Sequence, residues 1–319
     1  MDVAIDRPGG TRRIAVVPAY NEEPTVAHVL DKLSYLVDEL VVVDDGSTDD
    51  TMDVLARYGD RLRVFRQANR GPAAARNRAI AEARGDFIAF IDGDDLWLPG
   101  HPGQLMSYLV AHPETRVAYG QWNVWQPQPD GTYLPIPEAA PRRDLEIEPG
   151  GSGWLYTQLL FDSRIHIIGA IVHRSVIDAV HGFDESLRSG SDYDFWLRVS
   201  QKFSIVGFRN AVAVYRQNLS SVTHTMRAEN NAYIMLTRSL ATYGASDAAG
   251  NVAPATQVSR RLAELAFAHG YRHFWRGDPA IAARSFRDSL RHRPLQPKAL
   301  LYWIASLVRC ARPHAKRAA

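Results

Sequence analysis

The 319 residues include 46% hydrophobic and 23% charged positions with a formal net charge of +2, a balance that fits a folded globular chain and excludes general disorder. A single cysteine, Cys310, excludes an internal disulfide, and no Cys/His spacing matches a zinc site, so any bound metal must take oxygen ligands. The opening MDVAIDRPGG lacks the charged start and apolar core of a signal peptide, and the longest apolar run, 299–308, is about half of what crossing a bilayer requires. A cytoplasmic protein is expected.

Along the chain, the β-rich run Ile14–Val17 precedes Val26, Val29, Leu30 and Leu33 at helical spacing, and then a second run, Leu40–Val43. A helix after Ser47, a strand at Leu62–Phe65, an Ala-rich helix from Pro72 to Ala83 and a strand at Phe87–Ile91 continue the alternation. Repeated βα units predict an α/β fold with a mainly parallel sheet flanked by helices. Residues 126–153 break the pattern, because Pro127, Pro129, Pro135, Pro137, Pro141 and Pro149 beside several glycines forbid a long regular element; a loop or lid is expected. Regular structure resumes at Ile165–Val172 and at a helix over Ser191–Ser200, and from about Ala228 the chain reads as helical.

In that tail, Leu262–Pro294 resembles one tetratricopeptide-like helical hairpin, with Asp278 as N-cap and Pro279 at the first helical position. Residues 252–319 hold 13 Lys+Arg against 3 Asp+Glu, or +10, which leaves −8 for the rest. Such a tail attracts anionic lipid, nucleic acid or polyphosphate, or is simply a solvated basic face.

Ligands of parallel α/β sheets bind beyond the carboxyl ends of the strands. Here three strands end in polar clusters: Pro18 to Glu23, Asp44 to Asp49, and Asp92-Gly93-Asp94-Asp95. Three carboxylates in four residues repel one another unless a cation intervenes. Mg²⁺ or Mn²⁺ takes one or two such carboxylates and fills its shell with water and substrate phosphates, which points to a phosphorylated ligand. No GxxxxGK[ST] or GxGxxG loop is present, so ATPase and dinucleotide-dehydrogenase readings weaken.

A second cluster, Ser191 to Arg198, separates two aspartates by helix geometry. Asp192 shares a face with Phe195, Trp196 and Val199, whereas Asp194 points away with Leu197 and Arg198. Asp192 therefore either caps the helix or looks into a cleft. Trp122, Trp125 and Trp154 flank the Pro-rich segment; one is expected in the core and another against an acceptor sugar.

VVPAYNEE, VVVDDGSTDDT, NRGPAAARNRA, GDFIAFIDGDDLWLP and GFDESLRSGSDYDFWLRVS occur in the order found in family-two inverting glycosyltransferases of the GT-A fold, which residues 12–220 resemble. The resemblance implies that Pro18, Tyr20 and Glu22 line the nucleotide pocket, that one or both of Asp44 and Asp45 bind base or ribose, and that Arg76 lies near the donor. Asp94 would bind the metal, Asp92 would hold the ribose or support the metal, and Asp95 would reach sugar hydroxyls. Asp192 would be the catalytic base, although Ser191 precedes it where the family usually has Glu, a departure that bears on sugar or acceptor contacts. His224 would close over the diphosphate as a further metal ligand.

The implied activity is metal-dependent inverting transfer of a hexosyl or N-acetylhexosaminyl group, from a UDP-sugar above dTDP- or GDP-sugars, to a glycan, lipid-linked or other hydroxyl acceptor in envelope or polysaccharide synthesis. The implied organisation is a GT-A domain over 1–225 and a helical region over 226–319. Within the former, 12–120 binds the nucleotide sugar, 126–153 is the Pro-rich loop and 154–225 carries the base. The basic tail suggests peripheral contact with the cytoplasmic membrane face, and no nucleic-acid partner is expected. A sugar-phosphate nucleotidyltransferase would need a Gly-rich, Lys-containing N-terminal loop that is missing. A non-catalytic glycan-binding scaffold would not need Asp92, Asp94 and Asp192 intact.

Overall fold

The computed structural model describes residues 13–33, 36–134, 144–217 and 226–311. The N-terminal alternation forms as expected: β1 (Arg13–Ala19), α1 (Val26–Leu33), β2 (Glu39–Asp44), α2 (Thr51–Ala56), β3 (Arg63–Arg66), α3 (Pro72–Glu82) and β4 (Phe87–Phe90). Val16, Val17 and Val41 to Val43 are fully buried, the outcome expected of apolar runs in a sheet covered on both faces. Helix α1 buries the four residues its periodicity selects, Val26, Val29, Leu30 and Leu33. In α3, Ala73, Ala74, Ala75 and Ala79 are buried, and their small side chains let the helix lie close on β1 and β2.

The chain continues through β5 (Leu96–Trp97), α4 (His101–Ala111), β6 (Val117–Trp125), α5 (Tyr156–Leu159), β7 (Ala170–His173), α6 (Arg174–Val180), α7 (Ser191–Ser200) and β8 (Val206–Arg216). All eight strands join one sheet in the order β3-β2-β1-β4-β7-β6-β8-β5. The segment β3-β2-β1-β4 is parallel throughout. Beyond it β7 runs antiparallel to β4 and β6, β8 lies parallel to β6, and β5 closes the edge antiparallel to β8. The sheet is thus mixed and mostly parallel.

Strands β6 and β8 escaped periodicity because their pairing is irregular, with register shifts on either side of Gln121. Gly120 makes the close approach possible, since a Cβ there would meet Asn210 O at 2.8 Å and crowd the Val212 methyls. In the Pro-rich segment, Gln126–Leu134 folds as a turn closed by a Pro127–Tyr133 bridge, and Pro149–Gly151 forms a single 3₁₀ turn. Residues 135–143 of the expected loop lie outside the described residues.

The chain divides into two compact units, residues 1–159 with 163–221 and residues 160–162 with 222–319. The second contains α8 (Asn231–Tyr243), α9 (Ala255–Arg276), α10 (Pro279–His292) and α11 (Pro297–Ala311). The expected hairpin is α9 and α10: Asp278 accepts the Ala280 N–H at 2.7 Å and Pro279 opens α10. Gly270 brings the helices together, because a Cβ there would sit 3.1 Å from Phe286 and Ser285. Phe274, Ala282 and Phe286 form the core of this unit, with Phe267, Tyr302 and Trp303 packed on it, so α11 adds a third helix to the hairpin.

Candidate active site

The loops that leave β1 and β2 are tied together by hydrogen bonds that the sequence motifs supply. Asn21, in the left-handed conformation at φ 56°, donates its N–H to Ser47 Oγ at 2.9 Å, and its side-chain oxygen accepts the Thr48 N–H at 2.8 Å. Gly46 has φ 81°, and a Cβ there would stand 2.8 Å from Asn69 N, so the Asp-Asp-Gly-Ser turn needs glycine on both counts. Asp44 is wholly buried; it accepts the Ser47 N–H at 3.2 Å and lies 3.1 Å from Arg66 Nε. Asp45, 3% exposed, accepts from Gln67 Nε2, Arg70 N and Gly71 N and thereby anchors the start of α3. Pro18 is buried beneath the first loop and Tyr20 is exposed at its rim.

The turn after β4 packs directly on that loop: a Cβ on Gly93 would lie 3.0 Å from Glu22 Cγ and 3.4 Å from Pro18 O. Glu22 and the turn thus share one acidic pocket. Burial, with Asp94, Asp92 and Asp49 nearby, raises the Glu22 carboxyl to about 8 even though Thr25 Oγ1 donates to it at 2.6 Å. Burial and Asp92 raise Asp94 to about 6, and burial with both neighbours holds Asp95 well above the carboxylate range. Asp95 is turned inward; its Oδ1 accepts the Arg216 N–H at 2.8 Å and its Oδ2 is buried without a hydrogen-bond partner.

Two cations answer this charge. Arg76, 5% exposed, donates to Asp92 at 2.5 Å and is a buried residue of α3. Its desolvation is outweighed by Asp92, Asp192 and Asp95, which keep the guanidinium charged. Arg216, at the end of β8, donates through Nε to Asp94 O at 3.0 Å and lies over the Trp125 ring at 4.3 Å. Arg216 was not legible in sequence, because only the antiparallel β5–β8 pairing carries it to a turn more than a hundred residues earlier.

Helix α7 reaches the same place through α3. Asn77 makes a reciprocal pair with the Phe183 backbone, at 2.9 and 2.8 Å, and Arg70 bonds Glu185, so the GFDE segment docks beside Arg76. Phe183 stacks on Phe195 at 4.5 Å. Asp192, half-buried, thereby acts electrostatically on both Arg76 and His166. It is not the cap of its helix: Gly190 holds that position, with no side-chain cap bond. The expected two-faced helix is corrected, since Asp194 and Leu197 are buried too and Asp194 pairs with Arg198 at 2.8 Å. His166, hidden in a segment that reads as plain apolar sequence, lies between Trp122 and Tyr215, at 5.2 and 5.1 Å, with a buried Nδ1 that has no partner. Trp122, Trp125 and Trp154 are all half-buried, with the Trp125 indole N–H donating to Leu134 O at 2.7 Å.

Glu22, Asp92 and Asp94 are hard oxygen donors held near one another, and burial with neighbouring carboxylates raises the proton affinity of Glu22 and Asp94, the donor chemistry that a divalent cation relieves. Among the described residues no three His, Cys, Asp or Glu side chains are grouped so as to hold a metal ion. His224 lies outside the described residues.

Residues 14–154 match the profile "Glycosyl transferase family 2". The succinoglycan biosynthesis protein ExoU of Rhizobium meliloti is 30% identical over 233 residues, covering 66% of this chain and 64% of its own length, so the chain spans less than two-thirds of that relative. TuaG of Bacillus subtilis, described as a putative teichuronic acid biosynthesis glycosyltransferase, is 28% identical over 65% of this chain and 80% of its own. Among solved structures, Staphylococcus aureus TarS 1-349 in complex with UDP-GlcNAc superposes with a TM-score of 0.64 at 18% identity, over 92% of this chain and 89% of that one. Residues 14–154 thus carry a glycosyl transferase family 2 domain, on a GT-A-like fold followed by C-terminal helices.

Proposed function

We propose that the protein transfers a hexosyl or N-acetylhexosaminyl group from a nucleoside-diphosphate sugar to a glycan or lipid-linked hydroxyl in polysaccharide synthesis, with inversion at the anomeric carbon. The observation that carries this reading is the gathering, at one sheet edge, of Glu22, Asp92 and Asp94 with Arg76 and the half-buried Asp192. Support comes from relatives named for succinoglycan and teichuronic acid biosynthesis. The TarS structure with UDP-GlcNAc favours a UDP-sugar; a Pyrobaculum calidifontis mannosyltransferase with GDP-Man and Mn²⁺ shares the fold at TM-score 0.50 and 20% identity.

In this mechanism Pro18, Tyr20 and Glu22 border the nucleotide, while Asp44 and Asp45 hold the β2 turn against it. Asp192 accepts the proton of the acceptor hydroxyl as its oxygen bonds to the anomeric carbon and the nucleoside diphosphate departs. Mn²⁺ or Mg²⁺, held by Asp94 with Asp92 and His224, would offset charge on the diphosphate. Arg76 orients Asp92 through its hydrogen bond, and Arg216 adds positive charge on the same side. Asp95, turned inward, secures the turn against β8. Trp122, His166 and Tyr215 form a wall of apolar ring faces and one free ring nitrogen beside Asp192, suited to an acceptor sugar.

A thermal-shift panel of nucleoside diphosphates with and without Mn²⁺ tests the donor assignment. A ligand at about 100 times its Kd stabilises by about 2.7 kcal/mol. UDP should stabilise in a Mn²⁺-dependent way, and Asp94→Ala should abolish the Mn²⁺ dependence. No shift with any diphosphate would refute the transferase reading.

A further inference from the structure

Helix α11 has no charged side chain between Lys298 and Arg309, and it is apolar on both sides. One side packs inward: Ala299 and Ser306 are buried, and Tyr302 stacks on Phe286 with ring centroids 5.5 Å apart. The other side faces out. Leu300, Leu301, Ile304, Leu307 and Val308 are between 46% and 66% exposed, and at 100° per residue they fall within a single arc about 120° wide. A helix that is apolar all round is normally covered all round, so this arc calls for a partner.

Charge selects among the candidates. Arg291, Arg293 and Lys298 precede the arc and are exposed, and the sequence beyond it, Arg312 to Ala319, adds three Lys+Arg and no acid. That following segment contains no large apolar residue and cannot bury the arc itself. A second copy would set one segment of charge +10 against another. An anionic bilayer satisfies both features, taking the arc into its headgroup boundary and the flanking cations among its phosphates. The apolar stretch is too short to span, and no helix among the described residues is long and apolar enough to do so.

We infer that the outer face of α11 is a docking surface for an anionic lipid bilayer, with the helix lying in the plane of the interface. This inference does not depend on the transferase reading. Its test is co-sedimentation of the full chain with vesicles of phosphatidylcholine alone and of phosphatidylcholine with phosphatidylglycerol, at low and high salt. The chain should bind the anionic vesicles, leave them in high salt, and bind neutral ones weakly. The variant L301E/I304E/V308E should lose about tenfold or more in partitioning. L301A/I304A/V308A, which preserves helix propensity, should lose an intermediate amount and guards against misfolding of the charged variant. Equal binding by all three proteins, or no binding by the unaltered chain, overturns the proposal. So does a dimer in size-exclusion chromatography that both variants dissociate, because a second copy then covers the arc.

Discussion

The α/β unit and the helical unit treat charge and apolar surface in opposite ways. The first takes charge inside: Asp44, Asp45, Arg76, Asp95 and Asp194 are all buried, and its acidic pocket is balanced by two arginines that reach it from distant elements. Among its described residues the second buries no Lys or Arg and only His, Ser and a single Asp247 among polar groups, and it leaves a row of aliphatic side chains in water. Buried like charges are unfavourable unless a ligand uses them, and exposed aliphatic arcs are unfavourable unless a surface covers them. In each unit the feature that is out of place for it is the one on which its proposed ligand rests.

The largest expected effect lies in the first unit. Asp192→Asn retains size and hydrogen bonding but not basicity, so transfer should slow by roughly 10² to 10⁴ with UDP affinity unchanged. Rate and affinity measured on the same variant check this, and near-normal turnover would remove Asp192 from the mechanism. Next comes Arg76→Met, which strips the buried partner from Asp92 and leaves Asp95 and Asp192 less compensated; a loss of about 3 kcal/mol in urea unfolding is expected. A change below about 0.5 kcal/mol there would mean that the pocket carries no such charge in solution.

The helical unit should respond to packing instead. Gly270→Leu forces α9 and α10 apart and should destabilise by about 1–3 kcal/mol, seen as a lower Tm. Asp278→Ala removes the α10 cap and should lower stability by about 1 kcal/mol, with Asp278→Asn restoring it. The smallest effect belongs to Glu264→Ala. Its ion pair with Arg260 is exposed on both sides, at 68% and 49%, so no resolvable change in urea unfolding is expected. A larger loss at Glu264 than at Arg76 would invert the comparison.

Local signals in the sequence determined the βα units, the polar turns after β1, β2 and β4, and the Asp278-Pro279 start of α10. Each rests on neighbours a few residues apart: apolar runs, helical spacing, caps and turn residues. The same turns named Glu22, Asp92 and Asp94, because acidic residues at strand ends need no tertiary information to be noticed. Only the tertiary structure decided which distant groups meet them. Arg216 arrives through the pairing of β8 with β5, and His166 comes to face Asp192 out of a segment whose apolar composition hid it. Asp194, which helix periodicity set apart from the buried face, is buried because α3, α5 and α6 pack around α7 and Arg198 pairs with it. The reason is common to all three: side-chain environment depends on which elements pack around a position, and that is settled by contacts between residues far apart in the chain.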